Sequence, residues 1–259
     1  MKAFVIQMTS VPNVQNNIAF VEQCLTSYSN QHELRNSIVV LPECFALFGG
    51  RDNDNLGIAE TIGSGPIQTQ LARLAVKFEL YLVAGSMPTT SDNPEKFYAS
   101  TLVFAPTGKL IADYQKIHLF DVEVSDGTGS YLESNSTEPG QNVVCFDTEF
   151  GKVGLAICYD LRFPGLFQAL REQGVVAIVL PSAFTEVTGQ AHWQPLIQAR
   201  AIENQVFMIA ADQNGIHTNG RETHGHSMIV SPWGEILCNA KRENGLFCTY
   251  LDTDELKKI

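Results

Sequence analysis

Apolar residues in this chain come in short runs rich in β-branched side chains, and longer stretches with helical spacing separate several of these runs. Short apolar runs are typical of buried strands, whereas apolar positions three and four residues apart are typical of helices. The predicted strands are AFVIQM, SIVVLP, LYLVAGS, STLVFAP, KVGLAIC, VVAIVLP, QVFMIAA, HSMIVSP and LFCTYL. The predicted helices cover residues 14–27, 66–78, 163–173 and 190–205. Strands that alternate with helices predict an α/β fold.

The order of these elements repeats once along the chain. AFVIQM, a helix and SIVVLP are echoed by KVGLAIC, a helix and VVAIVLP. After a further helix, each half continues into two strands joined by a Pro-x-Gly turn, at 106–108 and at 232–234. One half alone would leave a sheet face uncovered, so we expect the two halves to stack sheet against sheet. The repeat therefore predicts a four-layer α-β-β-α sandwich with two pseudo-symmetric halves.

A single doubly wound sheet is the alternative architecture, because the same alternation of strands and helices would also permit it. The two Pro-x-Gly turns favour the sandwich, since hairpins require antiparallel pairing inside an otherwise βα pattern. With 259 residues, of which 44% are hydrophobic, the chain is long enough for one large domain or two small ones, with a large core.

Residues 120–140, FDVEVSDGTGSYLESNSTEPG, interrupt the pattern with clustered glycine, serine and acidic residues. This composition predicts a long irregular loop between the two halves. Loops of that length in a compact domain are often functional, and a plain surface insertion is the alternative.

The charge and the hydropathy exclude several classes of partner. The net charge of −11, with only 17 lysines and arginines, disfavours binding to a phosphate backbone, so we expect no nucleic-acid partner. No window approaches the roughly 18 consecutive apolar residues of a membrane span, so we expect no membrane partner. The N-terminal residues MKAFVIQMTS contain no signal-peptide pattern, and we expect a cytoplasmic protein. The six cysteines form no C-x-x-C pair and are expected to be free thiols.

Polar residues follow three of the apolar runs, at the strand ends where α/β sheets collect ligands: Glu43, Cys158 and Ser182. A plainer interpretation exists for each candidate. Taken alone, Glu43 is more typical of a carboxylate at a helix start, Cys158 of a buried structural thiol, and Lys116 of a solvated lysine at a strand end.

A nucleophilic role for Cys158 requires its thiolate. A helix that begins near Phe163 and Pro164, together with the ammonium of Lys116, is expected to lower the pKa of this thiol. In that geometry, Lys116 and the backbone N–H of Tyr159 would both face the oxyanion of a tetrahedral intermediate.

The remaining polar and aromatic candidates have weaker support. His192, His217, His224 and His226 lack a defined ligand set, so we predict no metal site. No histidine stands out as a partner for Cys158, which disfavours a Cys–His protease. His118 is expected to be a packed, hydrogen-bonded side chain, and Asp160 is expected to pair locally with Arg162. The candidates for the substrate pocket, each with core packing as the alternative, are Tyr159, Phe184 and Trp193.

Three separated motifs carry a family resemblance. PECF around Glu43, YQKIHLFD around Lys116 and ICYDLRFPGL around Cys158 resemble the three signatures of the nitrilase, or carbon-nitrogen hydrolase, superfamily. The resemblance implies that Glu43 is the general base, Lys116 the electrostatic stabiliser and proton donor, and Cys158 the acyl-accepting nucleophile. It also implies that Glu133, in YLES, orients Lys116 or the attacking groups.

The same resemblance implies a single domain over residues 1–259, the four-layer sandwich, a homodimer packed near the cysteine motif, and no metal or organic cofactor. Within the superfamily, HWQPLIQARAIENQ and GHSMIVSPWG resemble the small amidase branch. This branch implies a small-molecule amide substrate, with deaminated glutathione as the first choice and 2-oxoglutaramate or 2-oxosuccinamate as the alternative. A non-catalytic binding protein with a relic site is the alternative from a different class.

Overall fold

Two β-sheets lie face to face in the computed structural model, which describes residues 1–51, 54–124 and 129–257, without the side chains of Glu255 and Lys257. The strands are β1 Lys2–Gln7, β2 Ile38–Val40, β3 Tyr81–Val83, β4 Met87–Thr90, β5 Phe97–Phe104, β6 Leu110–Gln115, β7 Asp121–Glu123, β8 Ser130–Leu132, β9 Thr137–Glu138, β10 Cys145–Thr148, β11 Gly151–Leu155, β12 Val175–Ser182, β13 Phe207–Asp212, β14 Asn214–Ile216, β15 Glu222–His224, β16 Met228–Val230, β17 Ile236–Asn239 and β18 Gly245–Tyr250. The α-helices are α1 Val14–Ser29, α2 Pro66–Phe78, α3 Pro164–Glu172, α4 Glu186–Thr188 and α5 Gln194–Asn204.

The central strands of the two sheets follow the same order, although the outermost strands come from different places in the chain. The first sheet runs β18-β1-β2-β3-β5-β4, with β6 and β9 also paired to β5, and the second runs β10-β11-β12-β13-β16-β17. The strands β1, β2 and β3 are parallel, as are β11, β12 and β13. An antiparallel strand flanks each parallel trio on both sides. This arrangement confirms two pseudo-symmetric halves and excludes a single doubly wound sheet.

Side-chain alternation along β1 shows how the layers form. Ala3 and Val5 point between the sheets, in one core cluster with residues of β11, β12 and β13. Phe4 and Ile6 point the other way, into a second cluster with the buried faces of α1 and α2. Helices α3 and α5 cover the outer face of the second sheet. The predicted α-β-β-α sandwich is therefore confirmed.

The helix predictions agree with the structure except at the last helix. The helix predicted from residue 190 starts earlier, because α4 continues through a π-helical segment, Gly189–Trp193, into α5. Thr185 caps α4, since its hydroxyl accepts a hydrogen bond from the backbone N–H of Thr188. No helix in the described ranges combines the length and hydropathy needed to cross a membrane.

The prediction of an irregular loop over residues 120–140 was wrong. Strands β7 and β8 form an antiparallel hairpin there, and Glu133–Asn135 form a 3-10 helix before β9 pairs with β5. The hairpin alternates exposed and half-buried positions and carries few apolar residues, so the sequence lacks the pattern of a core strand. Residues 125–128 of the segment lie outside the described residues.

Candidate active site

A cavity of about 630 Å³ lies where the carboxyl ends of the central strands of both sheets meet. Its volume falls within the roughly 300–1,000 Å³ that is typical of small-molecule sites. Four ionisable residues predicted from the sequence line it: Glu43, Lys116, Cys158 and Glu133. The fold therefore brings together side chains that the sequence places far apart.

Each of these four residues follows the end of a strand. Glu43 comes shortly after β2, Lys116 directly after β6, Glu133 directly after β8, and Cys158 shortly after β11. For Glu43, Lys116 and Cys158 the preceding strand belongs to one of the two main sheets, which fixes the backbone beside each residue, whereas Glu133 follows the separate β7–β8 hairpin.

The chain turns sharply at Cys158. Strand β11 ends at Leu155, and Cys158 begins a 3-10 helix, Cys158–Arg162, with a positive φ of 44°. The prediction that Cys158 ends the strand was therefore wrong. The physical reason is the Asp160 carboxylate, which accepts a hydrogen bond of 2.8 Å from the N–H of Ile157 and closes the turn. A positive φ at a non-glycine residue costs on the order of 1–3 kcal/mol, which the surrounding structure must offset.

Lys116 lies between two carboxylates. Its Nζ donates to Glu43 Oε1 at 2.8 Å and to both oxygens of Glu133, at 2.8 and 3.1 Å. The lysine side chain is only 2% exposed, so these interactions are shielded from water. The structure thus supports an orienting contact between Glu133 and Lys116.

The two carboxylates keep Lys116 positively charged. Burial by itself lowers the pKa of this amine, but the charges of Glu133 and Glu43 together outweigh burial, and the pKa lies well above its usual value. Burial raises the pKa of Glu133, and the charge of Lys116 opposes this effect. Lys116 is consequently a fixed cation at neutral pH.

The Cys158 thiol behaves differently from the sequence prediction. Burial raises its pKa well above the usual value, and the charge of Glu43 raises it further. Lys116 and the backbone N–H of Ala183 lower this pKa without overcoming the other two effects. The predicted net lowering of the pKa was therefore wrong, although Lys116 acts in the predicted direction. Cys158 rests as a thiol hydrogen-bonded to Glu43, which is placed to take its proton.

Comparison with known proteins identifies the family of this chain. The sequence profile described as carbon-nitrogen hydrolase matches residues 2–258. The chain belongs to the carbon-nitrogen hydrolase family. A Yersinia enterocolitica protein named deaminated glutathione amidase is 42% identical to this hydrolase over 98% of this chain and 87% of its own length. A Synechocystis protein of the same name is 40% identical over 99% of this chain and 93% of its own.

A solved structure confirms the fold of this hydrolase. The crystal structure of Saccharomyces cerevisiae Nit3, a member of branch 10 of the nitrilase superfamily, matches it with a TM-score of 0.87 and 30% identity. The match covers 100% of this chain and 92% of the yeast chain. The hydrolase is accordingly an enzyme that cleaves carbon-nitrogen bonds.

Backbone hydrogen bonds hold Glu43 in the hydrolase. The N–H of Glu43 donates to the carbonyl of Ser182 at 3.3 Å, and the side-chain amide of Gln213 donates to the carbonyl of Glu43 at 2.9 Å. Ser182 itself is fully buried, and its contribution here comes from its backbone oxygen. Gln213 was not among the sequence predictions, although it follows the apolar run VFMIAA and the strand-end rule applies to it equally.

A second buried carboxyl group, that of Asp212, positions the backbone next to Cys158. Asp212 Oδ1 accepts a hydrogen bond of 2.9 Å from the N–H of Phe184. The preceding residue, Ala183, donates its backbone N–H to the Cys158 sulfur. Burial raises the pKa of Asp212 well above its usual value. The structure thus reveals a positioning residue that the sequence prediction missed.

Two of the three predicted pocket residues line the cavity of the hydrolase. Tyr159 and Phe184 are part of its wall. Trp193 is instead fully buried behind Phe184, with ring centroids 4.8 Å apart, and its indole N–H donates to the carbonyl of His226. The prediction that Trp193 lines the pocket was wrong, because its ring fills the core that supports Phe184.

The expected pairing of Asp160 with Arg162 is also wrong. Asp160 accepts hydrogen bonds from the Tyr114 hydroxyl at 2.7 Å and from the N–H of His118 at 3.1 Å, in addition to that from Ile157. Arg162 faces the cavity instead, with its guanidinium over the rings of Tyr159 and Phe184. Asp160 therefore fixes the turn without Arg162, whose two terminal guanidinium nitrogens each lie 3.3 Å from His192 Nδ1.

The histidines serve packing and hydrogen bonding. His118 Nδ1 lies 2.7 Å from Asp160 and its ring stacks on Phe163, as predicted. His217 is buried between Ser10 and Thr223. Within the described part of the chain, no cluster of three histidine, cysteine or acidic side chains has the geometry of a metal site.

Proposed function

We propose that this hydrolase cleaves the amide bond of deaminated glutathione, giving 2-oxoglutarate and cysteinylglycine through a thioester on Cys158. The observation that carries the proposal is one cavity in which Cys158 contacts Glu43 while Glu43 and Glu133 both bind Lys116. The two bacterial relatives named deaminated glutathione amidase support the choice of substrate.

Acylation begins with attack of the Cys158 sulfur on the amide carbonyl carbon, while Glu43 takes the thiol proton. The carbonyl electron pair moves onto oxygen, and the Lys116 ammonium and the N–H of Tyr159 stabilise this oxyanion. When the carbonyl reforms, the carbon-nitrogen bond breaks, and the leaving amine takes the proton held by Glu43. The products of this step are the free amine and a thioester.

Deacylation repeats the same proton path with water. Glu43, again a carboxylate, takes a proton from water as the water oxygen attacks the thioester carbon. Collapse of the second intermediate breaks the carbon-sulfur bond and returns the proton to Cys158. The released product is the carboxylic acid, and the enzyme regains its starting state. The raised pKa of Cys158 suits this cycle, because the thiolate forms only as Glu43 accepts its proton.

Parallel steady-state kinetics on deaminated glutathione and 2-oxoglutaramate test the proposal. We expect a higher kcat/KM for deaminated glutathione, and a loss of turnover on the order of 10⁴-fold or more in Cys158→Ala with the fold intact. A large preference for free 2-oxoglutaramate would contradict the substrate assignment. Full turnover by Cys158→Ala would contradict the mechanism.

The proposal also includes a cytoplasmic homodimer. The family resemblance near the cysteine motif supports the dimer, and the six cysteines, all of them free thiols, support a reducing compartment. Fractionation of the native host followed by immunodetection tests the location, and detection of the protein outside the cytoplasmic fraction would contradict it.

A further inference from the structure

A row of aromatic rings with an arginine at each end forms one wall of the cavity. The guanidinium of Arg162 lies 5.9 Å from the ring centre of Tyr159, which contacts Phe120 at 5.1 Å. Phe120 contacts Tyr131 at 5.1 Å, and the guanidinium of Arg221 lies 5.2 Å from the ring of Tyr131. All five side chains line the cavity.

The reacting groups lie beside this row. Tyr159 directly follows Cys158, and the backbone N–H of Phe120 donates to Glu133 Oε2 at 2.6 Å. The row therefore begins at the nucleophile, passes the carboxylate that binds Lys116, and continues to Arg221. A ligand whose reactive carbon is at Cys158 can extend along the rings towards Arg221.

Arg162 and Arg221 stand at opposite ends of this row, and both are half-buried. Arg162 is only four residues from Cys158, and its guanidinium lies 5.6 Å from the ring of Phe184 and 3.3 Å from His192 Nδ1. Arg221 lies just before β15. Arg162 thus belongs to the end of the row nearest the nucleophile and Arg221 to the far end.

Two further charged side chains of the cavity wall suit a carboxylate less well than Arg221 does. Glu222 is itself an anion and would repel a carboxylate. The side chain of Arg51 is 93% exposed, so its guanidinium is less restrained. Arg221 is half-buried and stacked on Tyr131, so its guanidinium is held in place, which favours bidentate binding of a carboxylate.

We propose that Arg221 binds the terminal carboxylate of the leaving group, and that this contact selects a long dianionic amide over a short keto-amide. The inference rests on the proposed function. Deaminated glutathione carries one carboxylate on its acyl part and a second on the glycine of the leaving cysteinylglycine, whereas 2-oxoglutaramate has only the first. The short acyl part stays near Cys158 with its carboxylate at Arg162. The dipeptide lies along Phe120 and Tyr131, with its carboxylate at Arg221.

The test compares two substrates in one variant. In Arg221→Gln, the ratio of kcat/KM for deaminated glutathione to kcat/KM for 2-oxoglutaramate should fall about 10- to 100-fold, the value of a charge-assisted hydrogen bond. The matched control is Arg35→Gln, which removes a surface arginine paired with Glu79 outside the cavity wall, and it should leave the ratio at the wild-type value. Near-ultraviolet circular dichroism checks that both variants fold.

A modified substrate locates the contact. Conversion of the glycine carboxylate of deaminated glutathione to an amide should lower kcat/KM of the wild-type enzyme by the same factor, and Arg221→Gln should add no further loss. Additive losses from the two changes would overturn the inference, as would an unchanged substrate ratio in Arg221→Gln. A different result would overturn the proposed function itself. If the wild-type enzyme had no activity on deaminated glutathione, both that function and this inference would be wrong.

Discussion

At the residue scale, the active site depends on buried charges whose pKa values depend on one another. Lys116 is a cation because two carboxylates surround it, and Cys158 is a thiol because Glu43 and burial oppose its ionisation. A charge removed at one position therefore changes the protonation of its neighbours. Substitutions of Glu43 and of Asp212 test this dependence.

Glu43→Gln should abolish hydrolysis and at the same time lower the pKa of Cys158. The neutral amide cannot act as general base, but it also removes the negative charge that raises the pKa of the thiol. The pH dependence of alkylation of Cys158 by a neutral reagent measures this pKa in the wild type and the variant. Glu133→Gln is the comparison, since Glu133 also binds Lys116 but is not among the main causes of the raised pKa of Cys158. An alkylation profile that moves to higher pH in Glu43→Gln would refute the prediction.

Asp212→Asn should become more stable relative to the wild type as the pH rises. Burial raises the pKa of Asp212 in the folded state, so the folded state binds its proton more tightly than the unfolded chain does. The contribution of Asp212 to stability is therefore present at acidic pH and is lost as pH rises from the usual value of 3.8. An asparagine side chain does not titrate, so its contribution to stability does not change with pH. Its oxygen can still accept a hydrogen bond from the N–H of Phe184.

The measurement is the difference in unfolding free energy between Asp212→Asn and the wild type, taken in urea at several pH values between 4.5 and 7.5. Asp212→Ala serves as the second variant, because it leaves the N–H of Phe184 unpaired at a cost of about 1–3 kcal/mol at every pH. A difference between wild type and Asp212→Asn that stays constant across the pH range would show that Asp212 is ionised in the folded protein.

At the scale of elements, the sequence predicted the buried strands and helices well and the short exposed strands poorly. Helix α2 was predicted at its observed bounds, because its apolar positions recur with helical spacing. Strands β7 and β8 carry only three residues each and little apolar surface, so their pairing depends on contacts that the local sequence does not encode.

The candidate site was predictable only in part, for a related reason. The positions of Glu43 and Cys158 follow from the strand-end rule, whereas the roles of Lys116 and Glu133 came from the family resemblance. The raised pKa of Cys158 was not predictable, because it depends on burial and on the distance to Glu43, which is 115 positions away in the chain. Trp193 was misplaced because an aromatic residue in a helix packs equally well in a core or a pocket wall.

The turn that presents Cys158 should depend strongly on Asp160. This fully buried carboxylate accepts hydrogen bonds from the backbone of Ile157 and His118 and from the hydroxyl of Tyr114. Asp160→Ala leaves these donors unpaired, and we expect a loss of about 3–5 kcal/mol of stability together with most of kcat. Tyr114→Phe removes only one of the donors and should cost about 1–2 kcal/mol. Denaturant unfolding measures both, and equal effects of the two variants would contradict this account of the turn.

At the scale of the whole molecule, the active site joins the two halves. Glu43 and Lys116 follow strands of the first sheet, and Cys158 follows a strand of the second. The backbone bond from Glu43 to Ser182 connects equivalent strand ends, since β2 and β12 hold corresponding places in their sheets. The stacking of the halves thus sets the distance between the base and the nucleophile, and one half alone cannot form the site.

The proposed homodimer can be tested on the outer face of the second half. Ile202 on α5, Trp233 in the turn after β16 and Ile236 on β17 are exposed apolar side chains, and Trp233 is 72% exposed. Ile202 packs close to the backbone of Gly234, so the turn and the helix form one continuous patch. Trp233→Glu places a charge in that patch and should convert the dimer to a monomer, because burying an unpaired carboxylate is costly.

Size-exclusion chromatography with light scattering measures the mass of each form. The wild type should have twice the mass of one chain, and Trp233→Glu should have the mass of one chain at the same concentration. Tyr250→Glu is the matched control, because Tyr250 is also 72% exposed but lies on β18 in the first sheet, and this variant should remain dimeric. A dimeric Trp233→Glu variant would show that the dimer uses another face. A monomeric wild type would show that the dimer does not form.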